Sequence, residues 1–272
     1  MSANGICGLF RRIIREATTI GYEMFWSPDA NLAVGVGAGG DIARRIDIEL
    51  EKNILTNIQS SGFETLVVSE ESGVHVFGES PQYVAMVDPL DGSLNYVSKI
   101  PFASVSIAVY RVGAPISEPV YASVRSIFGD IEIELCQEIV RFNNEVINNR
   151  VKTDNEIVSM YVEDIRDVEL VIEALRNNAT APKYRTMGSA SIEAALAALG
   201  YITHFIHLTG KLRNIDVSVG IALAQRLRSA LVTDPPLAEI RVDKIEKIRR
   251  LYIGPYDSPL RALLENRMIR GQ

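Results

Sequence analysis

The segment Tyr83-Val84-Ala85-Met86-Val87-Asp88-Pro89-Leu90-Asp91-Gly92-Ser93 constrains this chain more than any other. Its apolar opening is strand-compatible, Pro89 cannot continue a hydrogen-bonded ladder, and Gly92 permits a tight turn. A strand over Tyr83 to Val87 therefore delivers Asp88 and Asp91 together at its carboxyl end, beside the Leu90 carbonyl and the Ser93 hydroxyl. Such oxygens suit a hard cation: Mg²⁺ takes oxygen ligands at about 2.0–2.1 Å and completes its shell with water and substrate phosphate. Taken alone, the segment reads equally as an ordinary Asp-Pro, Asp-Gly turn.

Further acids shift that balance. The short apolar strand Leu66 to Ser69 ends in Glu70-Glu71, and like charges side by side are costly without a cation. One of this pair reads as a solvated loop residue. Asp216 follows Lys211-Leu212-Arg213-Asn214-Ile215 and opens the apolar-periodic segment Val217 to Leu227, so it stands at a helix start, where a capping acid is as natural as a ligand. Gly188-Ser189-Ala190 precedes another helix, whose N-terminus offers unpaired N–H groups to an anion; a Ser cap is compatible with that role. The run Gly35-Val36-Gly37-Ala38-Gly39-Gly40 lacks the strand and spacing of a dinucleotide fingerprint and reads as a mobile loop beside the acids.

Together, Glu70-Glu71-Ser72, Asp88-Pro89-Leu90-Asp91-Gly92-Ser93 and Asp216-Val217-Ser218-Val219-Gly220 resemble the lithium-sensitive, magnesium-dependent phosphatase superfamily that includes inositol monophosphatase and fructose-1,6-bisphosphatase. The likeness runs from about Gly35 to the end, and the glycine-rich run is most similar to the archaeal branch. The resemblance implies a layered α-β-α-β-α sandwich and two or three Mg²⁺ ions, with Mn²⁺ as a substitute. It assigns Glu70, Asp88 and the Leu90 carbonyl to a first ion, and Asp88, Asp91 and Asp216 to a second. Asp47, on the helix after the first loop, would form a proton relay with Ser93 for the attacking water, beside Glu70. Gly92, Ser93, Gly188, Ser189 and Ala190 would hold substrate with Asp91. The loop acid that archaeal members lend to a third metal is replaced here by Gly39, with Asp41 nearby as a substitute.

Departures from the family bear on substrate. Ile215 replaces a common Trp, and Thr209 stands where inositol enzymes carry a Glu that contacts sugar hydroxyls. Arg185, Lys211 and Arg213 lie close in sequence to the phosphate and metal segments, and Arg bonds phosphate in a bidentate fork. These features favour fructose-1,6-bisphosphate. Inositol-1-phosphate is the alternative, then a catalytically inactive regulatory relative, then, more weakly, a 3′-phosphoadenosine phosphatase.

The pattern divides the chain into an α+β lobe over residues 1–150, carrying most of the metal ligands, and an α/β lobe over 151–272 with Asp216 and the phosphate-binding helix. The expected helices are Leu9 to Phe25, Asp41 to Gln59, Asp167 to Asn177, Ser191 to Leu199, Val217 to Leu227 and Pro259 to Ile269; the strands between them include Ala103 to Tyr110, Val120 to Val124, Ile131 to Phe142, Ile157 to Val162 and Tyr201 to Leu208. A net charge of −6 argues against non-specific nucleic-acid binding and makes a metal necessary for an anionic substrate. No apolar run reaches the roughly 20 residues of a membrane span. The N-terminus lacks a signal segment, and Cys7 and Cys136 give neither a disulfide framework nor zinc spacing, so a cytoplasmic enzyme, a homodimer by resemblance, is expected. His75, His204 and His207 lack mutual metal spacing and read as structural.

Overall fold

The computed structural model describes residues 2–176 and 180–269. The first half contains α1 (Ala3–Met24), a hairpin of β1 (Ala33–Val36) and β2 (Ile42–Arg44), α2 (Arg45–Ser60), β3 (Thr65–Ser69), β4 (Gly73–Phe77), β5 (Tyr83–Asp91), the short α3 (Ser93–Val97), β6 (Ser104–Arg111), β7 (Tyr121–Ser126), β8 (Glu132–Cys136), β9 (Ile139–Phe142) and β10 (Glu145–Ile147). The second contains β11 (Ile157–Tyr161), α4 (Ile165–Leu175), β12 (Lys183–Arg185), α5 (Ala190–Leu199), β13 (His204–His207), β14 (Leu212–Arg213), α6 (Asn214–Arg226), β15 (Ala230–Asp234), β16 (Lys247–Ile248), β17 (Arg250–Gly254) and α7 (Pro259–Ile269).

Period-two alternation in β5 builds the layers. Ala85 and Val87 face a core with Phe10, Ile13 and Ile14 of α1 and Ile46, Leu50 and Ile54 of α2. Val84 and Met86 face the opposite way, into a core with Ile192 and Leu199 of α5, Val219 and Leu223 of α6, and Phe205 and Ile253 of the second sheet. That sheet covers its outer face with Val171 and Leu175 of α4 and Leu260 and Leu264 of α7. The result is the expected α-β-α-β-α sandwich. The first sheet runs β10-β9-β8-β7-β6-β5-β3-β4 and the second β12-β11-β13-β17-β15. The central core draws side chains from both sides of the expected boundary at residue 151, so the two halves share one interior.

Local expectations are corrected in several places. Strand β5 does not stop at Val87 but runs to Asp91, with its register against β6 shifted between Asp88 and Asp91, where Pro89 has no N–H for the ladder. Residues 42–44, expected as the first turn of a helix, pair with β1 instead. The stretch Ile131 to Phe142 is a hairpin, not one strand, because the chain reverses at Gln137 with φ of 56°. The end of α4 expected at Asn177 lies outside the described residues. The cysteines, too, are paired: Cys7 and Cys136 form a disulfide across 129 residues of sequence. Spacing could not reveal it, because the pair meets only when α1 packs on the sheet that ends β8. Among the described residues no helix is long and apolar enough to cross a membrane.

Candidate functional site

Neighbouring strands β3 and β5 run parallel, so Glu70, just after β3, emerges beside Asp88, near the carboxyl end of β5. Glu70 N–H donates to the Val87 carbonyl at 3.2 Å, which ties the first acidic turn to β5 immediately before Asp88. Asp216 arrives from the other side, on the first turn of α6, where its Oδ2 accepts from Arg213 N–H at 2.8 Å. One carboxylate oxygen from each of Glu70, Asp88 and Asp216 lies within 4.8 Å of the others, and all three residues are buried. The donor set is oxygen only and anionic, which fits Mg²⁺ or Mn²⁺ and not a soft metal. Beside it opens a cavity of about 350 Å³ lined by Asp41, Arg44, Glu70, Asp88, Leu90, Asp91, Gly92, Ser93 and Arg213, among others.

The electrostatics of the cluster call for a cation. Burial, with Glu70, Asp91 and Asp216 close by, pushes the Asp88 carboxyl well above its ordinary value. Burial raises Glu70 to about 7 against the pull of Arg213, and Asp91 to about 7 against its hydrogen bond from Ser189. Asp216 is also raised, by burial, although Arg213 opposes the shift. Glu71 rises to about 8 through burial and the charges of Glu70, Asp47 and Glu51, and Asp47 to about 6, chiefly through burial.

Asp91 lines the same cavity but stands outside the three-residue group. Its Oδ2 accepts from Ser189 Oγ at 2.5 Å and from Ser191 N–H at 2.8 Å, so the N-terminus of α5 already holds a carboxylate of the protein. Glu193 takes more of the same amides. It is fully buried and accepts from Met187, Gly188 and Ser189 N–H at 3.2, 3.0 and 3.3 Å, and from Ser159 Oγ at 2.6 Å and the Tyr161 hydroxyl. Of the two amides expected here to cradle phosphate, those of Ser189 and Ala190, the Ser189 N–H is therefore already given to Glu193. Glu193 was missed because a single acid inside an apolar helix carries no spacing signal. Glu193→Gln is expected to lower stability by about 1–3 kcal/mol, since its amide places donors against donors; urea denaturation with an unchanged midpoint would show that the turn holds itself.

The remaining expected residues divide clearly. Gly92 is required where it stands: its φ is 89°, and a Cβ there would lie 2.9 Å from the Gly188 carbonyl. Asp47 caps α2 by accepting from Arg44 N–H at 2.7 Å, while Ser93 Oγ donates to the Leu90 carbonyl at 3.2 Å. No hydrogen bond joins Asp47 to Ser93, and Asp47 Oδ1 is buried without a partner. The glycine-rich loop does lie beside the acids, with Ala38 and Gly39 N–H donating to the Glu71 and Glu70 carbonyls at 2.8 Å each. Arg213 is inside the cluster, ion-paired to Glu70, Asp216 and Asp41. Arg185 is exposed and donates to the Tyr184 carbonyl, and Lys211 pairs with exposed Glu163; neither lines the cavity. Arg44 does line it and was missed, although Arg44-Arg45-Ile46-Asp47 and Arg213-Asn214-Ile215-Asp216 share one pattern, an Arg before a helix whose amide bonds the acid three residues on. His204 is held by Tyr252 and Glu156, and His207 stacks on Tyr161, as structural histidines do.

A five-layered sandwich that gathers buried carboxylates at parallel strand ends, against a cavity of small-molecule size, defines a hydrolase acting on phosphate esters. Residues 22–227 match the inositol monophosphatase family, and the chain belongs to that family of phosphatases. It is 31% identical over 208 residues to an inositol-1-monophosphatase of Aeropyrum pernix, covering 74% of this chain and 76% of that protein. It is 29% identical to a fructose-1,6-bisphosphatase of Pyrococcus furiosus, with 82% of both covered. In fold it is similar to the crystal structure of an inositol monophosphatase–fructose 1,6 bisphosphatase, with a TM-score of 0.78, 21% identity and coverage of 95% of this chain and 98% of that one.

Proposed function

We propose that this chain hydrolyses a small sugar or polyol phosphate with Mg²⁺, and that fructose-1,6-bisphosphate is preferred to inositol-1-phosphate. The observation that carries the reaction is the meeting of Glu70, Asp88 and Asp216 oxygens within 4.8 Å beside the cavity. Glu70, Asp88 and the Leu90 carbonyl would hold one ion, and Asp88, Asp91 and Asp216 a second. When bound, Mg²⁺ acidifies a water and neutralises charge on the ester oxygen. Gly92 and Ser93, on the cavity wall, receive the phosphoryl group through their backbone N–H groups. Ser93 Oγ turns from the Leu90 carbonyl toward the unpaired Asp47 Oδ1 and passes on the proton of the attacking water. If that relay operates, Ser93→Ala and Asp47→Asn lower kcat more than they raise KM, and their losses overlap in the double variant; multiplying losses would dissolve the pair.

The substrate preference is supported by Arg44 at the cavity and by Thr209 in place of an acid. Relatives bearing both activities in their names, as in Methanothermobacter thermautotrophicus, keep inositol-1-phosphate as the second reading. Phosphate release from both esters, with Mg²⁺ and after chelation, tests the proposal. Higher kcat/KM for the bisphosphate and loss of turnover with chelator are expected. The reverse preference returns the assignment to the monophosphate, and activity in excess chelator removes the metal.

A further inference from the structure

We propose that Arg213 is a resident cation of the carboxylate cluster, seated among Glu70, Asp216 and Asp41, and that it competes with Mg²⁺ for Glu70 and Asp216. The inference rests on the metal-binding reading given above. Arg213 Nη2 lies 2.5 Å from Glu70 Oε1, Nε 3.1 Å from Asp216 Oδ1, and Nη1 3.3 Å from Asp41 Oδ2. Glu70 and Asp216 are two of the three residues whose oxygens converge as a ligand set, so the guanidinium and a divalent ion claim the same charges. The seat is built for it. A Cβ on Gly39 would stand 2.1 Å from Arg213 Nη1, and Gly39 N–H donates to the Glu70 carbonyl at 2.8 Å, holding the glycine turn against the guanidinium. Arg213 is also fixed at its backbone, whose N–H donates to Asp216 Oδ2. A guanidinium stays charged at every working pH, so it offsets part of the buried negative charge whether or not metal is present.

Removing the competitor has opposite effects on affinity and on metal-free stability. Titration calorimetry with MgCl₂ and thermal melts in chelator, on the native protein, Arg213→Gln and Arg213→Lys, test this directly. Arg213→Gln is expected to bind Mg²⁺ about tenfold more tightly, within the usual span of coupling between two ligands, and to melt earlier in chelator. Arg213→Lys, which keeps the charge without the fork, is expected to fall between. Where Arg213→Gln does not fold, Gly39→Ala, whose Cβ would stand 2.1 Å from Arg213 Nη1 and 3.1 Å from Glu70 Cγ, crowds the guanidinium most while leaving every charge in place; tighter Mg²⁺ binding is expected there too, and equal or weaker binding overturns the proposal. Equal or weaker Mg²⁺ binding in folded Arg213→Gln overturns the proposal, because Arg213 then orders the ligands and does not oppose the ion. No Mg²⁺ binding by the native protein is a different failure, which removes the metal reading and this inference with it.

Discussion

Replacing Asp88 by Asn is expected to lower turnover by about 10³-fold or more while leaving the metal-free protein as stable as, or more stable than, the native one. The two effects have one cause. Asp88 is buried among Glu70, Asp91 and Asp216, and burial together with those charges holds its carboxyl far above the ordinary range. Asparagine removes one carboxylate of the proposed ligand set and, with it, part of the repulsion within the cluster. Its amide oxygen can still accept the Leu90 N–H bond, 3.1 Å in the native protein, so the turn after β5 survives. Turnover at saturating Mg²⁺ and melting in chelator measure the two halves. Near-native turnover would contradict the ligand assignment, and a large loss of melting temperature would show that Asp88 is structural.

Stability without metal is expected to fall as pH rises from about 5 to 8, and Mg²⁺ is expected to abolish most of that fall. The folded carboxyls of Glu70, Asp91 and Glu71, raised to about 7, 7 and 8, bind protons more tightly than they do in the unfolded chain. Their contribution is therefore complete below the ordinary carboxyl range and is lost as pH climbs through the raised values. The acids titrate together and Arg213 offsets part of the charge, so the sum is about 2–4 kcal/mol rather than a full unit-by-unit total, or roughly 5–10 °C in Tm for a chain of this size. Mg²⁺ replaces the protons, so it should raise Tm far more at pH 8 than at pH 5.5 and release protons on binding, visible as buffer-dependent calorimetric heats. A flat metal-free profile would mean that the cluster is ionised and already compensated.

The amino-acid sequence by itself determined the parts of this protein that depend on a few adjacent residues. The apolar run Tyr83 to Val87, followed by Pro89 and Gly92, places Asp88 and Asp91 at the end of a strand, Glu70 follows a second strand, and Asp216 stands at a helix start. Periodicity likewise foretold most elements, and the family resemblance the layers, because burial on one face or two leaves a local pattern. Only tertiary structure decided what those residues touch. Arg213 belongs to the cluster because β14 and the Gly37–Gly40 turn bring it onto Glu70, over more than a hundred residues of intervening chain. Asp91 Oδ2 is taken by the α5 N-terminus because Ser189 and Ser191 arrive there from the other half of the chain, while Glu70, Asp88 and Asp216 converge on one point. Cys7 meets Cys136 by the packing of a helix on a sheet, and Arg185 and Lys211 turn outward where sequence proximity pointed them inward. Local chemistry sets where a side chain leaves the backbone, but the partner that compensates its charge comes from whichever distant segment the core packs against it.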